Sequence, residues 1–259
     1  MSKGVRIARE LLDQYGIDDP SEIPLETLIY GRDAIIREKP LSNCDGRIVF
    51  GNKKSIITIN SNIEFEGKRR FVLAHELGHH EMHRNEIPVH FDNDATLQYF
   101  KNGNQETQAN EFASEILMPS KLFLSQSERK RFSPELLREL SNLFLTSLTS
   151  TVYRYFDFGR HPICLIYSYN NVVKYWKRPD EYPHFLINRI NLPPPEGSVA
   201  YEFFNEKKIY TKANSKQRVW KSTWFNLNRE EDDNDTNFYE FCIITPKYNT
   251  VLSVIWEEI

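Results

Sequence analysis

The chain has 259 residues, 40% of them hydrophobic and 27% charged, with a formal charge of −3 and a pI near 6.2. That length suits one or two domains with a real core, and no apolar run approaches the ~18 residues a membrane span needs. The mildly acidic balance argues against a main affinity for phosphate backbones, which rests on clustered Lys and Arg.

From the N-terminus, Val5, Ala8, Leu11, Leu12 and Tyr15 recur at helical spacing, and Gly16 follows as a C-terminal stop. Charges interrupt Met1 to Gln14 throughout, so the stretch does not read as a secretory signal and a cytoplasmic location is expected. Cys44, Cys164 and Cys242 are far apart and odd in number, which fits reduced thiols. Pro24 to Tyr30 predicts a short second helix, with Leu25, Leu28 and Ile29 as its apolar face. The period then changes. Ala34 to Arg37, Arg47 to Phe50 and Ser55 to Ile59 read as strands of a small antiparallel sheet.

Helical signals return over Arg69 to Met82 and Glu106 to Leu117, separated by a polar stretch, Arg84 to Asn104, that reads as loop. Ser133-Pro134-Glu135 opens a helix to Phe144, and Ser147 or Thr149 opens another that stops at Gly159. From His161 the pattern is strand-like: Ile163 to Tyr167, Val172 to Trp176, Lys208 to Thr211, Phe238 to Thr245 and Val251 to Trp256. Glu230 to Asp235 reads as a solvated acidic loop. The aromatics Trp176, Tyr201, Phe203, Phe204, Trp220, Trp224 and Phe225 suit a core or partner surface better than a ligand pocket.

Five of the seven histidines lie between His75 and His90. His75-Glu76-Leu77-Gly78-His79 is an HExxH motif on a predicted helix, which puts two imidazoles on one face, four residues apart, where both can bind one zinc ion. Glu76 sits about 100° round the helix from His75, placed to act as a general base rather than a ligand. Gly78 allows another element to approach closely. An ordinary amphipathic helix could hold the same triplet, but Phe71, Val72, Leu73, Ala74 and Leu77 make this one apolar on most sides, and buried polar groups need a partner.

A catalytic zinc takes three protein ligands and leaves one position open. A metzincin would need Gly at 82 and His at 85, where this chain has Met82 and Asn85. A carboxylate from the later helix is the alternative. Glu106 and Asn110 share a face there, so Glu106 can ligate while Asn110 orients a ligand histidine; Glu111 and Glu115 compete for the ligand role. His83 reads as a packing residue or a support to a ligand. The oxyanion donor stays open among His80, His83, His90 and Tyr99.

Arg70-Phe71, Ala74 to His79 and His83, followed by Glu106, Ala109-Asn110, Phe112-Ala113 and Leu117-Met118-Pro119, resemble the ImmA/IrrE family of zinc metallopeptidases. The resemblance covers roughly residues 5 to 122. Leu140, Phe144, Ser147 and Arg154 resemble the helix-turn-helix-like segment of IrrE-type members, and the strand-rich tail is more weakly similar to their GAF-like sensor region. It implies zinc held by His75, His79 and Glu106, catalysis by Glu76, and a helix-turn-helix repressor as substrate, whose cleavage releases mobile-element or stress genes. Gln108 departs from the pattern, since many members carry an acidic residue there.

Two rival readings remain. Ser133 to Gly159 could bind DNA, but residues 121–160 hold only seven basic against four acidic residues, and Arg154 is the one charged base reader on the second helix. Alternatively the chain is a signal-sensing regulator or antitoxin-like partner with a structural metal site, a role that has no need of Glu76. The expected architecture is α+β: a metallopeptidase domain over 1–122, a helix-turn-helix-like helical connector over 123–160, and a strand-rich sensor or interaction domain over 161–259.

Overall fold

A computed structural model describes residues 1–19, 21, 24–42, 44–84, 103–228, 232–233 and 237–258. The fold is mixed α+β and divides into two compact units. Met1–Gln126 and Glu139–Ser150 form the first; Ser127–Arg138 and Thr151–Ile259 form the second. Residues 123–160 are thus apportioned between the two. Among the described residues, no helix is long and apolar enough to cross a membrane. The expected loop at 84–104, apart from its ends, and most of the acidic run at 230–235 lie outside the described residues.

In the first unit, α1 (Lys3–Tyr15) starts where Ser2 Oγ accepts from the Val5 amide and ends at Gly16, whose φ of 62° is left-handed. Its buried residues Ala8, Leu11 and Leu12 follow the helical period. Pro24 precedes α2 (Leu25–Gly31), which buries Leu25, Leu28 and Ile29. Strands β1 (Ala34–Lys39), β2 (Gly46–Val49) and β3 (Ser55–Asn60) form a sheet of order β1-β3-β2.

This sheet is not antiparallel throughout. β2 and β3 form the expected antiparallel pair, with Ile48 opposite Ile57, but β1 runs parallel to β3, with Ile36 opposite Ile57. The hairpin return inserts β3 between the two earlier strands, so β1 meets the later strand on its far edge. Such a pairing depends on which edge is free, and the alternation of side chains does not record that.

Two long helices follow, α3 (Glu66–His83) and α4 (Gly103–Leu117). Each buries its middle: Leu73, Ala74 and Leu77 on α3 and Ala109, Phe112 and Ala113 on α4 are fully buried. A further helix that the sequence reading missed, α5 (Ser120–Ser127), begins immediately after Pro119. Proline stops one helix and suits the first turn of the next; here the Phe123 amide donates to the Pro119 carbonyl. Glu115 accepts from both the amide and the hydroxyl of Ser120.

The capping residues expected near 133 and 147 are in place. Ser133 Oγ accepts from the Leu136 amide at the start of α6 (Pro134–Leu143), and Ser147 Oγ accepts from the Ser150 amide at the start of α7 (Leu148–Phe158).

The second unit is built on an antiparallel sheet of order β5-β4-β8-β7-β6: β4 (Cys164–Tyr169), β5 (Val172–Lys177), β6 (Gln217–Val219), β7 (Phe238–Thr245) and β8 (Thr250–Glu257). Short helical segments α8 (Val199–Tyr201, continued as a π turn to Glu206) and α9 (Lys221–Trp224) interrupt it. Phe203, Phe204, Trp224 and Phe225 are buried, while Trp176 and Trp220 are exposed.

The strand expected at Lys208 to Thr211 is not one. Lys208 Nζ and Tyr210 Oη both turn back onto the Glu202 carboxylate of the preceding π turn, and Ile209 is left exposed. The edge strand is Gln217–Val219 instead, which pairs with β7.

Candidate metal centre

The sequence places His75, His79 and His83 at successive i, i+4 positions of α3, and the structure stacks them as one row, with ring centroids 4.8 and 5.1 Å apart. Helix α4 faces this row. Gly78 permits that approach: a Cβ there would stand 3.0 Å from the ring of the fully buried Phe112. Gly78→Val is therefore expected to destabilise the first unit by about 2–3 kcal/mol through overpacking. A urea midpoint equal to that of the unsubstituted protein would contradict the close packing.

Three groups converge where the helices meet. His79 Nε2 lies 3.1 Å from His75 Nε2, and the Glu106 carboxylate oxygens lie 3.3 Å from each of these nitrogens. Among the described residues, His75, His79 and Glu106 are the group of metal-ligating side chains with donor atoms this close. Donors around a tetrahedral zinc at 2.0–2.1 Å are separated by about 3.3 Å. The observed spacings match that edge, so the residues present fit the ion. The site remains accessible, with 29% of the Glu106 side chain exposed.

Around these three, His75 Nδ1 lies 3.0 Å from Asn110 Oδ1, and His79 Nδ1 lies 3.0 Å from His83 Nδ1. Burial pushes the His79 imidazole below its ordinary value, with the Glu106 carboxylate pulling the other way. The net direction favours the neutral ring, the form that can coordinate a metal. Glu76 is buried, and its carboxylate lies against β2: a Cβ at Gly46 would stand 3.0 Å from Glu76 Oε1.

Other expected participants are placed elsewhere. Glu115 pairs with Arg9 at 2.8 Å, and Glu111 lies beside Gly4 of α1. His80 Nδ1 is 2.9 Å from Ser55 Oγ on β3, and His83 is engaged with His79, so neither is directed at an oxyanion; His90 and Tyr99 lie outside the described residues. The reading of the sequence passed over Gln108 as a partner. Its Oε1 is 3.2 Å from His83 Nε2, and its Nε2 donates to Asn104 Oδ1. The i, i+4 spacing of Asn104 and Gln108 was a usable signal.

Residues 32–156 match the peptidase family model described as the IrrE N-terminal-like domain. The matched segment includes β1 to β3 and the facing helices α3 and α4, while α1 and α2 precede it. No curated protein sequence matches the chain significantly. Among solved structures, a Mycobacterium tuberculosis transcriptional regulator is similar in fold over 99% of this chain and 88% of its own, with a TM-score of 0.62 and 13% identity.

Proposed function

We propose that this chain is a zinc-dependent endopeptidase that cleaves a helix-turn-helix transcriptional repressor in the cytoplasm and so releases stress or mobile-element genes. The observation that carries the reading is the convergence of His75, His79 and Glu106 at tetrahedral spacing, with the buried Glu76 on the same helix. The match to a peptidase family over these residues supports it.

In this reading His75, His79 and Glu106 hold the metal, Asn110 and His83 support the ligand histidines, and Glu76 is catalytic. Bound zinc supplies Lewis acidity, polarising the scissile carbonyl and making water a better nucleophile at neutral pH. Glu76 takes the proton of the attacking water and delivers it to the departing amine nitrogen. Its packing against the β2 backbone fixes the carboxylate for both transfers.

We assign the chemistry to residues 1–122, and a sensing or interaction role, GAF-like in type, to 161–259 across the connector 123–160. DNA reading by α7 fits poorly: Arg154 is 4% exposed, and its guanidinium lies 4.2 Å from the centre of the Phe158 ring.

Repressors encoded beside the gene are the substrates to test. The zinc-loaded protein is expected to cut one of them at a discrete site, to lose that activity to a chelator, and to regain it with zinc. His79→Ala is expected to lower bound zinc from about one ion per chain to near zero. Stoichiometric zinc in that variant, by elemental analysis, would remove the proposed ligand set.

A further inference from the structure

The row of imidazoles on α3 continues past the ligands, and its far end carries directional information. His83 is fully buried, with both ring nitrogens engaged: Nδ1 lies 3.0 Å from His79 Nδ1, and Nε2 lies 3.2 Å from Gln108 Oε1. An amide oxygen only accepts, so His83 Nε2 carries the proton. A neutral imidazole has one N–H, which leaves His83 Nδ1 an acceptor and makes His79 Nδ1 the donor between the two rings. The lone pair of His79 is thereby assigned to Nε2, the atom that faces His75 and Glu106.

The Gln108 amide makes a second contact that orients it. Its nitrogen donates to Asn104 Oδ1 at 3.3 Å, which turns the carbonyl end toward His83. On the other side of the site, His75 Nδ1 lies 3.0 Å from Asn110 Oδ1, an acceptor that favours the proton on Nδ1 and so turns the His75 Nε2 lone pair toward the metal position.

We propose that Gln108, held by Asn104, is a positioning residue that sets the tautomer of His83 and, through it, presents the lone pair of His79 Nε2 to the metal. The proposal rests on the reading of His75, His79 and Glu106 as zinc ligands. It assigns a purpose to the departure at position 108. An amide imposes the direction of the hydrogen-bond chain without adding a charge beside two histidines and a carboxylate. Without an acceptor at 108, His83 is free to move its proton to Nδ1; the adjoining His79 proton then shifts to Nε2 and must be displaced before a metal can bind.

The test uses the full chain. In metal-free protein at pH 8, nitrogen NMR of the histidine rings is expected to find His83 as the Nε2–H tautomer and His79 as the Nδ1–H tautomer. Gln108→Met, similar in size but without an oxygen acceptor, is expected to give mixed tautomers and about 10–100-fold weaker zinc binding in chelator competition. Gln108→Glu restores an acceptor and is expected to stay within about threefold of the unsubstituted protein. His83 found as Nδ1–H in the unsubstituted protein, or unchanged zinc affinity in folded Gln108→Met, overturns the proposal. His79→Ala separates the two readings. If it loses zinc while Gln108→Met does not, only the positioning role fails; if it binds zinc normally, the ligand assignment fails.

Discussion

On the proposed mechanism, Glu76→Gln is expected to reduce repressor cleavage by about 10²–10⁴-fold with the zinc content of the protein unchanged. Glutamine matches glutamate in volume and keeps the packing of this buried side chain against the Gly46 region of β2. It removes the basicity that the water's proton requires. His75, His79 and Glu106 are untouched, so metal content should stay near one ion per chain. Single-turnover rates together with zinc analysis make the measurement. Cleavage above about a tenth of the original rate, with full zinc, would exclude Glu76 as the base.

The second large effect is expected in the other unit, at Glu240 on β7. Its carboxylate is fully buried and accepts from five donors: the amides of Val199 and Ala200 at the start of α8, Trp224 Nε1, Ser253 Oγ and Cys242 Sγ. Glu240→Ala leaves these donors without their acceptor and opens a cavity, for an expected loss of about 3–5 kcal/mol. Glu240→Gln keeps one oxygen and is expected to lose less. All four tryptophans, Trp176, Trp220, Trp224 and Trp256, lie in this unit, so their fluorescence reports its unfolding. A denaturant midpoint unchanged in Glu240→Ala would show that these hydrogen bonds contribute nothing net.

Features written locally were legible in the sequence. Gly16, Ser133 and Ser147 act at helix ends because a cap is a property of a few consecutive residues. The spacing of His75 and His79, and of Glu106 and Asn110, identified side chains that the structure brings together, since helical periodicity determines which residues share a face. What depended on distant partners was not legible. The parallel pairing of β1 with β3 and the edge position of Gln217–Val219 follow from which strand edges are left free. Lys208 and Tyr210 have strand-like neighbours but are drawn away by a single carboxylate at Glu202. His83 and Gln108 lie on different helices, and the i, i+4 spacing of Asn104 and Gln108 marks the amide without naming the histidine it meets.

The strand order of the second unit bears on how it can be made. β4 and β5 form one ribbon, and β6 and β7 another; in the sheet they are joined only through β8, which comes last of the five in sequence. Among the described residues, the ladder bonds that connect the two ribbons all run through residues 250–257. Inserting the central strand completes both neighbours at once. Closure of this sheet therefore requires β8, and without it the facing edges of β4 and β7 are open to pairing with another chain.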